Sequence, residues 1–169
     1  MNTFGQIMGF VALGVSALIY IQKKRKNIIA MKLITDFIWM IHHFCIASYT
    51  AMGTTVIAAA RELYFMNDSR HEKRHTSGRI YVVIFSALFF ISGILTWRDG
   101  YSILPPIAST IATAAFNCMN VKKIRLLSLI VSLCMVFYSV HYMSYAGIVN
   151  EIIAQTTIVA ALFLDREKK

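Results

Sequence analysis

The sequence predicts an all-α integral membrane protein with seven transmembrane helices. They are expected as two three-helix bundles plus a linker helix, with the N-terminus outside and the C-terminus cytoplasmic. Three observations predict this. Hydrophobic residues make up 57% of the 169 positions and charged ones 15%. The charges cluster between apolar runs, as in polytopic membrane proteins. Basic residues fall in every second connection, which sets orientation through the positive-inside rule. The two ends of the chain also repeat one layout: apolar run, basic cluster, apolar run with histidine near its end, apolar run.

A helix needs about 20 apolar residues to cross the hydrocarbon core. Seven runs qualify, near 4–21, 28–47, 49–65, 80–97, 101–119, 126–145 and 148–164. Ala47-Ser48-Tyr49 and Tyr145-Ala146-Gly147 read as tight turns between helices. Loop 22–27 carries Lys23, Lys24, Arg25 and Lys26. Loop 66–79 carries Arg70, Lys73, Arg74 and Arg79. Loop 121–125 carries Lys122, Lys123 and Arg125, and the tail carries Arg166, Lys168 and Lys169. On the opposite side only Arg98 stands out, beside Asp99. An odd number of spans satisfies the rule at every loop. The first run has no basic residues before it and its lysines follow it, so it reads as a retained span rather than a secretory signal.

One membrane domain is expected over 1–169. Residues 1–66 form the first repeat, 67–99 a cytoplasmic loop and linker helix, and 100–169 the second repeat. A 99-residue shift aligns Lys23/Lys122, Lys24/Lys123, His42/His141, Ala47/Ala146 and Leu63/Leu162 without gaps. Matching Tyr49 to Tyr145 instead changes that register by three residues, about one helical turn. Three spans per half is odd, so the fourth span restores orientation and the halves run parallel, a known transporter design.

The net charge of +9 invites a nucleic-acid reading. Its placement as a topology signal, with no recognition module, excludes that class. Cys45, Cys118 and Cys134 sit in apolar runs and read as small buried hydrophobes. His71-Glu72-Lys73-Arg74-His75 fits the H-E-x-x-H zinc signature. Its charged flanks and loop position, without a third ligand, read instead as a solvated basic loop. No nucleophile elbow, phosphate loop or paired carboxylates are present. Neither enzyme activity, metal nor cofactor is expected.

Candidate site residues come from polar groups inside the apolar runs. Asp36 is the clearest, because an intramembrane carboxylate faces the bundle interior and needs a partner. Arg61 lies at similar depth across the turn near Ser48, and Lys32 is one turn away on the same helix. The pair serves a substrate or proton site, or it locks the hairpin. His141 and Glu151 flank the turn at Ala146 and are expected to meet, with Asn150 beside Glu151. His43 falls near the Asp36 face, seven positions on, and His42 nearer Trp39. Trp39 and His42 form one wall of a small-molecule pocket, or a lipid-interface aromatic beside a hydrogen-bonded histidine. Pro105-Pro106 in the fifth run is a gate hinge or a first helical turn; Asn117 lies beyond it. Gly5, Gly9 and Gly14 point to close helix packing.

The stretch from Lys24 to Phe65 carries a recognisable pattern: a Lys-rich turn, Asp36-Phe37-Ile38-Trp39, His42, a short turn with Tyr49-Thr50, then Arg61 after small residues. It resembles the bacterial YgjV-type inner membrane protein family, and His141 fits as well. Ala47 and Ala58 depart from the pattern, where glycine and asparagine are expected. The resemblance implies a multi-pass protein of the bacterial cytoplasmic membrane. It also implies kinship with the SWEET and PQ-loop transporter fold.

The expected function is transport or facilitated passage of a small polar solute by alternating access between the repeats. The alternative is a non-transporting sensor, assembly factor or accessory protein. Trp39, His42, His43, Asn117, His141 and Asn150 are expected at the substrate, and Asp36, Arg61 and Glu151 in ion pairing or proton coupling. The expected partners are the lipid bilayer and the solute. A monomer holds both halves, and homo-oligomerisation stays open.

Overall fold

A computed structural model describes residues 3–19, 25–67, 75–116 and 121–167. It is all-helical over those residues. The helices are α1 (Thr3–Ile19), α2 (Arg25–Cys45), α3 (Tyr49–Asn67), α4 (His75–Leu95), α5 (Leu104–Phe116), α6 (Val121–His141) and α7 (Tyr145–Glu167). A short 3-10 helix, Gly100–Ile103, leads into α5. Pro105 and Pro106 therefore sit in the first turn of α5, where their missing N–H groups cost nothing. The hinge alternative falls away.

α2 packs on α1 and α3, and α6 packs on α5 and α7. α4 touches α3 and α5. The two groups meet through α1 with α7 and α3 with α5. Exchanging the groups maps one of these contacts onto the other, as a two-fold relation between halves requires.

The turns fix the register. Ala47 and Met143 adopt left-handed backbone with φ 56 and 51. Around Ala47, the Ser48 N–H donates to the His43 carbonyl at 2.8 Å and the Ala47 N–H to the Phe44 carbonyl at 3.1 Å. Around Met143, Ser144 donates to Ser139 at 2.8 Å and Met143 to Val140 at 3.1 Å. Both are Schellman C-caps. They superpose Ala47 on Met143, a shift of 96 residues rather than 99. That shift also aligns Ile7/Ile103, Ala12/Ala108, Leu33/Leu129, Ser48/Ser144, Tyr49/Tyr145 and Ile57/Ile153. The second turn is thus 142–144, three residues before the expected one. His42 corresponds to Tyr138, not to His141.

Neither left-handed position holds glycine, so each carries a Cβ penalty on the order of 1 kcal/mol. Ala47→Gly and Met143→Gly are each expected to stabilise the fold by up to about 1 kcal/mol. A rise in the thermal midpoint checks this; a fall would mean that the side chains pack there to greater benefit.

Close approach of helices rests on small residues. A Cβ on Gly9 would lie 2.7 Å from the Cβ of Ala146 and 2.7 Å from His42 Nδ1. One on Gly5 would lie 2.7 Å from Cys45 Cβ. Gly14 is different: nothing lies within 4 Å of its added Cβ.

The interior is small and polar. Among the described residues nine buried ones are hydrophobic, and six of these are alanine: Ala12, Ala51, Ala59, Ala108, Ala115 and Ala146. Buried polar residues include His42, Ser48, Thr50, Arg61, Glu62 and Ser144. Large apolar side chains point outward, with Leu95 80%, Ile94 70% and Val83 68% exposed. Among the described residues no helix is long and apolar enough to cross a membrane. α1 and α5, at 17 and 13 residues, fall short of about 20. Charges interrupt α2 at Lys32 and Asp36 and α3 at Arg61 and Glu62.

Candidate functional site

Three polar clusters lie along the contacts between helices. The first is at the hairpin end. His42 is fully buried. Its Nδ1 lies 2.7 Å from the Gly5 carbonyl and its Nε2 lies 2.7 Å from Ser144 Oγ. A carbonyl only accepts, so Nδ1 carries a proton; with the ring neutral, Ser144 donates its hydroxyl to Nε2. Ser144 Oγ also accepts the Gly147 N–H at 3.2 Å, which caps α7. At the equivalent place, Ser48 donates to the Tyr138 phenol oxygen at 2.9 Å, and the Ala51 N–H donates to that oxygen at 3.3 Å. Tyr138 of one half therefore caps α3 of the other.

Trp39 and His42 are in contact. Their rings meet edge to face at 5.2 Å, and Trp39 stacks on His43 at 5.7 Å. His43 is buried, and its Nδ1 has no hydrogen-bond partner among the described residues. Residues 32, 36, 39 and 43 follow helical spacing along one face of α2. His43 thus shares the Asp36 face, as the spacing predicts.

The second cluster joins α2, α3 and α5. The charges of Lys32 and Arg61 both act on Asp36. Lys32 pairs with Glu62, and Arg61 Nη2 lies 3.5 Å from Glu62 Oε1. Arg61 is buried. Its Nη1 donates to Thr113 Oγ1 at 2.6 Å, and its guanidinium stands 5.9 Å from the centre of the Phe89 ring. Thr113 in turn donates to the Ser109 carbonyl at 2.7 Å. Glu62 is the member that sequence reasoning missed. Its signal was present: a second charge beside Arg61 inside an otherwise small and apolar stretch.

The third cluster is exposed. Asp99 Oδ2 lies 3.0 Å from His141 Nε2 and accepts the Tyr142 hydroxyl at 3.0 Å. Asp99 Oδ1 caps the 3-10 helix through the Tyr101 and Ser102 N–H groups. Tyr101 stacks on His141 at 4.2 Å. His141 therefore meets Asp99, not Glu151, because the chain before α5 returns over the end of α6. Glu151 accepts instead from the Asn150 amide at 3.1 Å, and its backbone carbonyl accepts from Ser132 at 3.1 Å. Asn117, and His71 and Glu72 of the short motif, lie outside the described residues. Among the described residues no three His, Cys, Asp or Glu side chains are grouped to hold a metal ion.

Burial alone raises the Asp99 carboxyl, but hydrogen bonds from Tyr142 and His141 outweigh it and hold it below the usual carboxylate range. A lowered folded value means that the carboxylate's contribution is present above the ordinary range and lost as the pH falls through the folded value. The stability difference between the natural chain and Asp99→Asn is expected to be largest near neutral pH and to vanish in acid. Paired melting curves from pH 7 to pH 3 check it; a constant difference would contradict it.

A family model described as a bacterial inner membrane protein, Imp-YgjV, matches residues 3–169. The chain belongs to this family. It is accordingly a protein of the bacterial inner membrane. Neither a search of curated proteins nor one of solved structures returns a match.

Proposed function

We propose that the chain spans the inner membrane seven times, hairpin turns outward, and passes a small polar solute between α1–α3 and α5–α7. Its basic loops then all face the cytoplasm, and its apolar outer faces meet lipid. Residues absent from the described helices, such as Tyr20 and Ile21, extend the apolar runs in the sequence itself. The two halves in 96-residue register fit a parallel repeat with a site at its interface.

The observation that carries the proposal is a set of buried polar atoms without hydrogen-bond partners among the described residues. They are Asp36 Oδ2 and His43 Nδ1 on α2, Thr110 Oγ1 on α5 and Gln155 Nε2 on α7. Both halves contribute. Buried polar groups are nearly always paired, so these atoms call for a hydrogen-bond partner that the described residues do not supply. A polar solute or the water that travels with it is such a partner. Trp39 and His43 offer it a flat aromatic face, and Asp36 an acceptor. Arg61 holds α3 to α5 through Thr113 and serves position rather than capture.

A thermal-shift screen on detergent-purified protein tests this. The panel holds sugars, vitamins, nucleosides, amino acids and organic acids at two pH values. A ligand that binds the folded state raises the melting temperature. The expected result is a hit that Asp36→Asn removes while the unliganded melting temperature stays. Loss of folding in Asp36→Asn, with binding unchanged in His43→Gln, would assign Asp36 to structure alone.

A second reading has one observation in its favour. His42 and Tyr138 are buried and hydrogen-bonded, so the hairpin end is closed. A permanently closed seam suits a non-transporting accessory protein. No hit across the panel, with no labelling of the seam from outside, would favour it.

A further inference from the structure

The hairpin end holds a feature that neither family membership nor solute passage requires: each turn is fastened by a side chain from outside its own half. In one direction Gln6 of α1 donates to the Met143 carbonyl at 2.8 Å, and its own amide oxygen accepts the Tyr145 N–H at 3.2 Å. In the other, Arg98 before α5 donates to the Ala47 carbonyl at 3.1 Å. Met143 and Ala47 are the two left-handed turn residues, so each foreign side chain grips the same point of the opposite turn. Inside these grips lie the two serine bonds, His42 with Ser144 and Tyr138 with Ser48. Gln6 and Arg98 do not occupy equivalent positions under the 96-residue shift. The repeat therefore does not by itself account for the exchange.

We propose that this exchange is a two-armed latch and that its arms release together when the halves part. One arm is Ser144 with His42 and Gln6; the other is Ser48 with Tyr138 and Arg98. The coupling has a physical basis. His42 is fixed at both ring nitrogens, to Gly5 of α1 on one side and to Ser144 of α7 on the other. Tyr138 lies on α6, which packs along α7, and its oxygen holds both Ser48 and the first turn of α3. Moving α7 away from α1 thus carries α6, and with it the Tyr138 oxygen, away from α3. Neither arm opens while the other keeps the halves in register. The arms differ in one respect: histidine stands in one and tyrosine in the other.

Hydrogen–deuterium exchange on the full chain in lipid nanodiscs tests the coupling. Tyr138→Phe removes one phenol and keeps the ring. Ser144→Ala removes one hydroxyl from the opposite arm. Each variant loses two neutral hydrogen bonds, from Ser48 and the Ala51 N–H at Tyr138 or to His42 and the Gly147 N–H at Ser144, and the opening constant is expected to rise about five- to a hundredfold. Because opening sets amide exchange, segments 46–52 and 142–148 are both expected to exchange faster, by similar factors, in either variant. Acceleration confined to the arm that carries the substitution would overturn the latch. Should Tyr138→Phe fail to fold, Ser48→Ala breaks the same bond with a smaller deletion and is read in the same way. The outcome does not depend on solute: independent arms in a protein that binds solute would refute the latch alone.

Discussion

Arg61→Ala is expected to destabilise the protein by about 3–5 kcal/mol, the cost of leaving a buried charge without its partner. Arg61 is 4% exposed and Glu62 6%. With Lys32 and Asp36 they form a group of two cations and two anions between α2 and α3. Removing the guanidinium leaves one negative charge in excess. It also ends the Thr113 bond that ties α3 to α5 and the contact with Phe89. Lysine is not an adequate replacement, because it lacks the planar fork that serves Glu62 and Thr113 at once. The double variant Arg61→Met with Glu62→Gln restores the balance, and most of the loss should return. Unfolding in mixed micelles measures both. A single variant within about 1 kcal/mol of the natural chain would mean that water reaches this cluster freely and already screens it.

Gly9→Ala is the second large effect. Its Cβ has two immovable neighbours, the His42 ring at 2.7 Å and the Ala146 Cβ at 2.7 Å. These belong to α2 and to the turn of α7, so no single flexible side chain yields. Overpacking of this kind costs typically about 1–3 kcal/mol. Here it also displaces His42, whose ring bonds to Gly5 and Ser144 are both 2.7 Å long. A thermal midpoint lowered by several degrees is expected, with faster exchange at 142–148. Gly14→Ala is the control: it meets nothing within 4 Å, and helix propensity alone should make it neutral or slightly stabilising. Equal losses in both would show that helix packing at Gly9 is looser than the distances imply.

Much of this fold is legible in the sequence. Seven apolar runs separated by basic clusters gave seven helices, because burial and topology signals both act locally. The first turn was legible at Ala47-Ser48 because small and polar residues interrupt the run there. The second was misplaced by three residues, and the cause is instructive. The histidine identity His42/His141 suggested the 99-residue register, whereas backbone geometry equates Ser48 with Ser144 and His42 with Tyr138. Identity of residue type was a weaker guide than the place of the cap. The same displacement explains why His141 was matched to Glu151. Its partner, Asp99, is 42 residues away in sequence, and local spacing carries no information about such a return.

The site was legible in part. Depth from the first turn put Asp36 and Arg61 at one level, helical spacing put Lys32 one turn from Asp36, and the structure adds Glu62 beside Lys32 and Arg61. Helical periodicity put His43 on the Asp36 face and His42 beside Trp39. It could not foresee that Ser144, over a hundred residues on, completes the His42 contacts. Long-range hydrogen bonds between halves depend on how helices pack, and the repeat register is what would have revealed them.

Labelling of Ser144→Cys in whole cells tests the central claim most directly, with Cys45, Cys118 and Cys134 replaced by serine. The reagent is a maleimide that does not cross the inner membrane, added after the outer membrane is made permeable. Ser144 is 2% exposed and lies at the closed hairpin end. Slow labelling from the periplasmic side is expected, accelerated when Tyr138→Phe weakens the other arm. Labelling that needs the inner membrane to be broken would contradict the orientation, and labelling that never occurs would contradict a seam that opens.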